Sequence, residues 1–293
     1  MRFAKWQGLG NDYLLVDRET LPAGLTTEAV ALLCDRHYGL GADGILVHDA
    51  PTGAVPGAVA RMRIYNPDGT EAEMCGNGVR MFARYLRATR AVTADEFALE
   101  TLAGPIIPRL LPDGRVRVHM GTARFRSANY RADGPGDADE VVGETLETAG
   151  GSYRFTFVDV GNPHCVIQAS DMTGLPLSEI GPPIERHGFF PNRANVEFIH
   201  PEPDGSVTMR VWERGVGETQ ACGTGATAVG AAAVRLGVAR SPVTVHLLGG
   251  DLEIEVAPDW QVVMTGPARE VYEAELSAEL LEQLGWATSQ TEP

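Results

Sequence analysis

Lysine is almost missing from this chain: of 293 residues and 24 basic side chains, one is lysine, Lys5. Chemistry that runs through a lysine Schiff base, the pyridoxal route to an acidic amino-acid α-carbon, therefore has a single candidate. That candidate falls in the first predicted strand beside Trp6, away from any phosphate-cradling loop. Positive charge is also short, and the 39 acidic residues leave a formal net charge of −15, which repels nucleic-acid phosphates unless a basic patch offsets it. No such patch is present. No apolar run approaches the roughly 18 residues of a membrane span, and the opening MRFAKWQGLGND lacks the apolar segment of a signal peptide. The four cysteines include no C-x-x-C, which suits free thiols in a reducing, cytoplasmic compartment. Seven scattered histidines offer no pair at ligand spacing and so no metal site. The expected partner is a small molecule, handled without metal or cofactor. With 44% hydrophobic residues and roughly 100–200 residues per domain, the length suggests two domains.

What is present is a pattern used twice. Shifted by 147 positions, ARMRIYNPDGTEAEMCGNG (60–78) overlies VTMRVWERGVGETQACGTG (207–225). Met62 meets Met209, Arg63 meets Arg210, Glu71 meets Glu218, and Cys75-Gly76-x-Gly78 meets Cys222-Gly223-x-Gly225. With small gaps, Gly10-Asn11 corresponds to Gly161-Asn162, and Arg36-His37 to Arg186-His187. A period this long is duplication of a whole domain rather than a solenoid. The acidic, glycine-rich stretch around ADGPGDADE (132–140) is the expected linker. The boundaries expected are 1–131 for the half carrying Cys75, joined by the tail 274–293, then a linker region 132–145, then 146–273 for the half carrying Cys222.

Short alternations such as ARMRIYN, RVRVHM, YRFTFVDV, VTMRVWE and LEIEV, parted by turn signals, predict closely spaced, mainly antiparallel strands. A helix follows each Cys-Gly-x-Gly. In the first, Val79, Phe82, Ala83 and Leu86 share a stripe opposite Arg80, Arg84 and Arg87; the second, 224–236, is almost wholly Ala, Val and Gly and reads as buried all round. A smaller helix is expected over 27–38, stopping at Gly39. The fold class is α+β: two pseudo-symmetric β-rich domains, each a curled sheet around one central helix, with an active site in the cleft between them.

Each duplicated cysteine precedes a helix, where the dipole and the first N–H groups lower a thiol's pKa from about 8.5. Those N–H groups also suit a carboxylate. Two such turns presented to one substrate would hold its carboxylate and set one sulfur on each face of the adjacent carbon. One thiolate would remove the α-proton and the opposite thiol would return one, inverting the centre. Cys34 and Cys165 have no duplicated partner and read as buried, small apolar residues.

The segments KWQGLGNDY, RHYGLGADG, YNPDGTEAEMCGNGVR, VGNPHC, RANVEF and VWERGVGETQACGTGA resemble the diaminopimelate epimerase family over nearly the whole chain. The resemblance implies a cofactor-independent isomerase that interconverts LL- and meso-2,6-diaminopimelate, in lysine and peptidoglycan precursor synthesis, as a cytoplasmic homodimer. It implies Cys75 and Cys222 as the acid/base pair, and Gly76-Asn77 and Gly223-Thr224 as backbone donors to the reacting carboxylate. Asn11, Asn66, Asn162, Asn195 and Arg214 would read the distal end, Glu213 an ammonium group, and His164 with Glu213 would tune the neighbouring thiol. Tyr272 matches a dimer-contact position. One departure stands out: some members place a substrate-contacting glutamine where this chain has Gly44.

Three other readings share these features. A proline or hydroxyproline racemase uses paired cysteines but does not require Glu213-Arg214 and the asparagines. A thiol redox protein and a non-catalytic amino-acid binding module are both compatible with the glycine turns alone.

Overall fold

The computed structural model describes residues 1–22, 24–137 and 139–286, and its contacts divide the chain into two units. One comprises Met1–Val116 together with the chain from Pro267; the other is Arg117–Gly266. The division does not fall in the expected linker region 132–145, which is built into the second unit. There the buried Val141 donates its N–H to Phe125 and accepts from that of Phe157, and the Glu140 carboxylate pairs with Arg235. Gly and Asp serve tight turns here rather than a hinge: Gly136 has φ +108, and a Cβ on it would lie 2.8 Å from the Glu140 carbonyl. Of the expected tail 274–293, residues 287–293 lie outside the described residues.

In the first unit the strand order is Arg269–Glu275, Arg2–Gly8, Asn11–Asp17, Ile45–Asp49, Ala58–Tyr65, Ala98–Thr101 and Gly104–Ile106. The second unit follows Glu144–Thr148, Gly151–Asp159, Pro163–Gln168, Asn195–Pro201, Val207–Glu213, Val243–Leu247, Gly250–Val256, Gln261–Gly266 and Val116–Thr122. Most neighbours are antiparallel, but among the described residues each sheet shows two parallel pairs at equivalent places. Asn11–Asp17 runs parallel to Ile45–Asp49 and Ala58–Tyr65 to Ala98–Thr101. Pro163–Gln168 likewise runs parallel to Asn195–Pro201, and Val207–Glu213 to Val243–Leu247. Parallel neighbours require a crossover connection, and the helices supply it. They are α1 (Thr27–Cys34), α2 (Gly76–Ala88), α3 (Leu177–Glu185) and α4 (Gly223–Arg235), with α5 (Ala278–Gln283) after the last strand. The duplication read from the sequence is thus a repeated topology: α1 and α3 make the first crossover, α2 and α4 the second.

Helix α1 ends sooner than the expected 27–38. Asp35 turns to extended backbone and its Oδ1 accepts the N–H groups of His37 and Tyr38, both at 2.7 Å, which draws those donors out of the helix. Helix α2 packs on Arg2–Gly8, Asn11–Asp17 and Arg269–Glu275, among others. Its apolar stripe of Val79, Phe82, Ala83 and Leu86 is fully buried, and the larger side chains each contribute roughly 1.5–3 kcal/mol of apolar burial. The arginines opposite are not all solvated: Arg80 is itself fully buried, its Nε donating to the Pro267 carbonyl at 3.1 Å, and Arg84 donates to the Gly114 and Ala268 carbonyls. Helix α4 is enclosed by the strands of its own unit, and its small residues set how closely they approach. A Cβ on Gly230 would stand 2.5 Å from Ile254 Cγ2. Among the described residues, no helix is long and apolar enough to cross a membrane.

Candidate active site

The two central helices begin in the same way. Cys75 and Cys222 are the N-cap residues of α2 and α4, with extended backbone (φ −144 and −121), and each sulfur accepts the N–H of the residue three places on, Gly78 or Gly225, at 3.3 Å. A thiol here does what a serine hydroxyl does at most helix starts. The glycine three places on leaves room for the approach: a Cβ on Gly225 would meet Glu197 Oε1 at 3.0 Å and Cys222 Cβ at 3.2 Å, and one on Gly78 would meet Cys75 Cβ at 3.3 Å. Gly76-Asn77 and Gly223-Thr224 occupy the first helical turns, whose N–H groups have no partner within the helix.

The hairpins feeding these turns are closed by equivalent ion pairs. Arg63 binds Glu71 with Nε and Nη2 at 2.9 and 3.0 Å, and Arg210 binds Glu218 at 2.8 and 3.1 Å. The residues matched between the repeats therefore do the same structural work in each: a two-point fork fixes the angle at which the chain enters the helix.

Around the first turn, Asn77 Nδ2 donates to Asn11 Oδ1 at 3.2 Å, Asn11 Nδ2 donates to Asp43 Oδ2 at 2.9 Å, and the Tyr13 hydroxyl donates to Cys75 Sγ at 3.6 Å. Asn66 closes a turn: its amide donates to Thr70 Oγ1 at 3.0 Å and its carbonyl accepts the Gly69 N–H. Lys5 is held by Asp12 at 2.7 Å and by the Gly41 carbonyl at 2.6 Å. Gly44 sits where no Cβ fits, 2.5 Å from the Tyr65 carbonyl oxygen and 2.6 Å from the Tyr13 ring.

Around the second turn, Asn162 Nδ2 donates to Thr224 Oγ1 at 3.3 Å and the Thr224 hydroxyl lies 3.5 Å from Cys222 Sγ. The His164 ring, fully buried, bridges Asn162 Oδ1 at 3.0 Å and Glu197 Oε1 at 2.6 Å. Glu213 hydrogen-bonds the Thr219 hydroxyl and acts on Cys222, and burial pushes its carboxyl above the ordinary range. Asn195 Oδ1 accepts the Arg214 N–H at 2.9 Å and its amide donates to the Pro163 carbonyl at 3.3 Å. The Arg214 guanidinium is exposed and donates to the Asn192 carbonyl. Buried Glu185 steadies this hairpin, accepting from Trp212 Nε1 and the Gly215 N–H.

The Cys222 thiol differs from expectation. Burial, followed by the negative charges of Glu213 and Glu197, raises it well above the usual thiol value, outweighing the Thr224 hydroxyl and the Gly225 N–H that favour the thiolate. Cys34, pushed up to about 12 chiefly by burial, and the fully buried Cys165 are inert core residues. All four cysteines are free. Among the described residues, no group of three His, Cys, Asp or Glu side chains could hold a metal ion. Tyr272 is half-buried on a strand at the end of the first sheet and donates to the Leu40 carbonyl at 3.0 Å.

Glu197, Tyr13 and Asp43 are site neighbours that residue spacing did not single out. The available signals were a carboxylate inside the apolar run VEF, and an aromatic two places after an asparagine at the position His164 occupies in the other repeat.

A family model described as diaminopimelate epimerase matches residues 3–126 and 156–271. The chain belongs to the diaminopimelate epimerase family. It is 49% identical over 282 residues to the diaminopimelate epimerase of Pelotomaculum thermopropionicum, covering 94% of this chain and 98% of that one. It is 46% identical over 281 residues to that of Moorella thermoacetica, covering 93% and 98%. Among solved structures, the fold is similar to that of a probable proline racemase from Agrobacterium radiobacter, with TM-score 0.63, 15% identity and coverage of 94% and 92%. It is also similar to a hydroxyproline epimerase from Agrobacterium vitis, with TM-score 0.59, 15% identity and coverage of 94% and 91%. The fold is therefore shared with proteins outside the diaminopimelate epimerase family.

Proposed function

We propose that the chain interconverts LL- and meso-2,6-diaminopimelate by proton transfer at the α-carbon, with Cys75 and Cys222 as the acid/base pair. The observation that carries this reading is the same thiol-capped helix start built twice in a member of the diaminopimelate epimerase family. The first-turn N–H groups of Gly76-Asn77 and Gly223-Thr224 receive the reacting carboxylate, where fixed donors stabilise charge as it develops on the carbon. One sulfur removes the α-proton as thiolate, and the other, as thiol, delivers a proton to the opposite face. Glu213 and the His164–Glu197 pair bear on the Cys222 thiol. Asn11, Asn162, Asn195 and Arg214 recognise the rest of the substrate, with the exposed Arg214 guanidinium answering the distal carboxylate. Asn66, which closes the turn before the first cysteine, is assigned to the same recognition.

The reaction in this reading uses no cofactor. Its support is the residues themselves: the lone lysine is committed to Asp12 and the Gly41 carbonyl. Four free thiols fit a reducing cytoplasm. A homodimer is the expected assembly, with the terminal strand Arg269–Glu275, where Val271 is exposed beside Tyr272, as the surface that would be covered.

The test is incubation with LL-diaminopimelate in deuterium oxide without added cofactor, following α-deuteration and the meso isomer. Wild type forms deuterated meso product, and Cys75→Ser and Cys222→Ser each abolish inversion. Appreciable inversion by either variant overturns the two-base assignment. Arg214→Met separates this substrate from a cyclic one: loss confined to the substrate with a distal carboxylate supports the reading, and equal loss on proline rejects it.

A further inference from the structure

We propose that Tyr13 is a positioning residue for Cys75, its phenol hydroxyl donating to Sγ so as to orient the sulfur and favour its thiolate. This deepens the proposed acid/base role of Cys75 and rests on it. Three observations converge. The hydroxyl lies 3.6 Å from the sulfur, within reach for a donor to sulfur, and the ring that carries it is buried, at 6% exposure. The ring can occupy this place because residue 44 is glycine: a Cβ there would stand 2.6 Å from Tyr13 Cε1 and 2.5 Å from the Tyr65 carbonyl oxygen, and the second of these is backbone that cannot swing aside. The departure at Gly44 and the presence of a hydroxyl at Tyr13 thus belong to one local arrangement. Third, Tyr13 follows Asn11 by two places, as His164 follows Asn162, on strands that occupy equivalent positions in the two sheets. Each repeat sets a hydrogen-bonding ring beside the start of its central helix. In one it is the imidazole tied to Glu197, in the other a phenol.

A phenol is protonated at neutral pH and is a better donor to an anion than to a neutral acceptor, so the bond to sulfur strengthens as the thiol ionises. Other groups act in the same sense. The buried Arg80 guanidinium, one turn into α2, interacts electrostatically with Cys75, and the Gly78 N–H donates to the sulfur. The acidic groups on the adjoining strand and loop, Asp12 and Asp43, are engaged by Lys5, Arg36 and Asn11.

Tyr13→Phe removes the hydroxyl and keeps the ring. The readout is the pH midpoint of iodoacetamide alkylation at Cys75, followed peptide by peptide by mass spectrometry, with Cys222 as internal reference. The expected result is a three- to tenfold smaller thiolate fraction at Cys75 near neutral pH, that is, an upward shift of about half to one pH unit, with the Cys222 profile unmoved. Incorporating 3-fluorotyrosine at position 13, a stronger donor of nearly the same shape, shifts the Cys75 midpoint down. An unchanged Cys75 midpoint in Tyr13→Phe overturns the proposal, and so does an equal shift at both cysteines, which marks general loosening. The readout does not depend on turnover. A shift confined to Cys75 in a protein that fails to epimerise diaminopimelate leaves the hydrogen bond standing and removes the functional reading instead.

Discussion

Asp12→Asn tests the charge cluster that holds the first site in place. Asp12 is 8% exposed, and its carboxylate accepts from Arg36 through both oxygens, at 2.8 and 3.0 Å, and from Lys5 at 2.7 Å. Burial alone would raise this carboxyl, but the hydrogen bonds of Arg36 and Lys5 outweigh it and hold the group at about 2, against 3.8 ordinarily. A carboxyl depressed on folding stabilises the native state above its unfolded pKa, and the benefit is lost as pH falls toward the folded value. At 1.36 kcal/mol per pH unit, the shift from 3.8 to about 2 is worth about 2 kcal/mol at neutral pH, declining to about half that near pH 3. Thermal unfolding of wild type and Asp12→Asn, followed by circular dichroism from pH 2.5 to 7, should therefore show a gap of about 4–8 °C at pH 7 that narrows below pH 4. The same substitution reaches the site through Asp43, whose N–H points at Asp12 Oδ1 and whose Oδ2 holds Asn11, so KM for the substrate should rise. A gap that stays constant across this pH range refutes the linkage, and a gap near zero at pH 7 refutes the energetic role.

Glu213→Gln should exchange stability for function. Burial raises the Glu213 carboxyl, so the folded state holds that proton more tightly than the unfolded chain, and stability falls as pH climbs through the window above 4.5. The glutamine variant should melt above wild type at pH 7 and level with it near pH 4, while inverting substrate more slowly in deuterium oxide; a variant less stable at pH 7 contradicts the burial argument. Gly230→Ala gains about 1 kcal/mol of helix propensity but drives a methyl to 2.5 Å from Ile254 Cγ2, where overpacking costs about 1–3 kcal/mol. Its melting point should fall by a few degrees, and a rise would show that the strand yields more easily than close packing implies.

The repeat was legible because its matched residues are physically paired. Arg63 with Glu71 and Arg210 with Glu218 fix the same hairpin twice, and Cys-Gly-x-Gly encodes a thiol cap closely packed over the glycine three places on. The boundary between the units was not legible. Gly and Asp make tight turns inside a folded unit as readily as they make linkers, and nothing local distinguishes the two until Val141 is seen buried among strands. The burial of Arg80 was not legible for a related reason: helical periodicity places it opposite the apolar stripe but cannot show that the Pro267 carbonyl covers that side too. Asn66 was read as a substrate contact through the family resemblance, and the structure shows that it also closes the turn made by Pro67-Asp68-Gly69. Glu197 and Tyr13 stayed hidden because a strand residue flanked by apolar neighbours reads as core, and only the partner across the sheet or helix start reveals the polar atom's task.

A two-base inversion places an unequal demand on two equal turns, since at any moment one sulfur must be an anion and the other must carry the proton. Perfect duplication would leave the two microstates degenerate. Here the scaffold is kept while the side chains have parted. The second turn surrounds its sulfur with burial, Glu213 and Glu197, all of which disfavour charge. The first sets Arg80 and the Tyr13 hydroxyl toward a sulfur that is more exposed. In the proposed mechanism, this biases the resting pair toward the Cys75 thiolate and the Cys222 thiol, so the free protein is poised for the stereoisomer whose α-proton faces Cys75. Turnover of the other isomer then requires the proton to pass from Cys222 to Cys75 before chemistry. Both directions draw on the same singly protonated pair, whose two arrangements keep a fixed ratio at every pH, so their kcat/KM profiles share one acidic limb, and Tyr13→Phe should move that limb upward in both directions alike. An acidic limb that Tyr13→Phe leaves in place would mean that substrate binding, rather than the fixed side chains, sets the protonation of the pair.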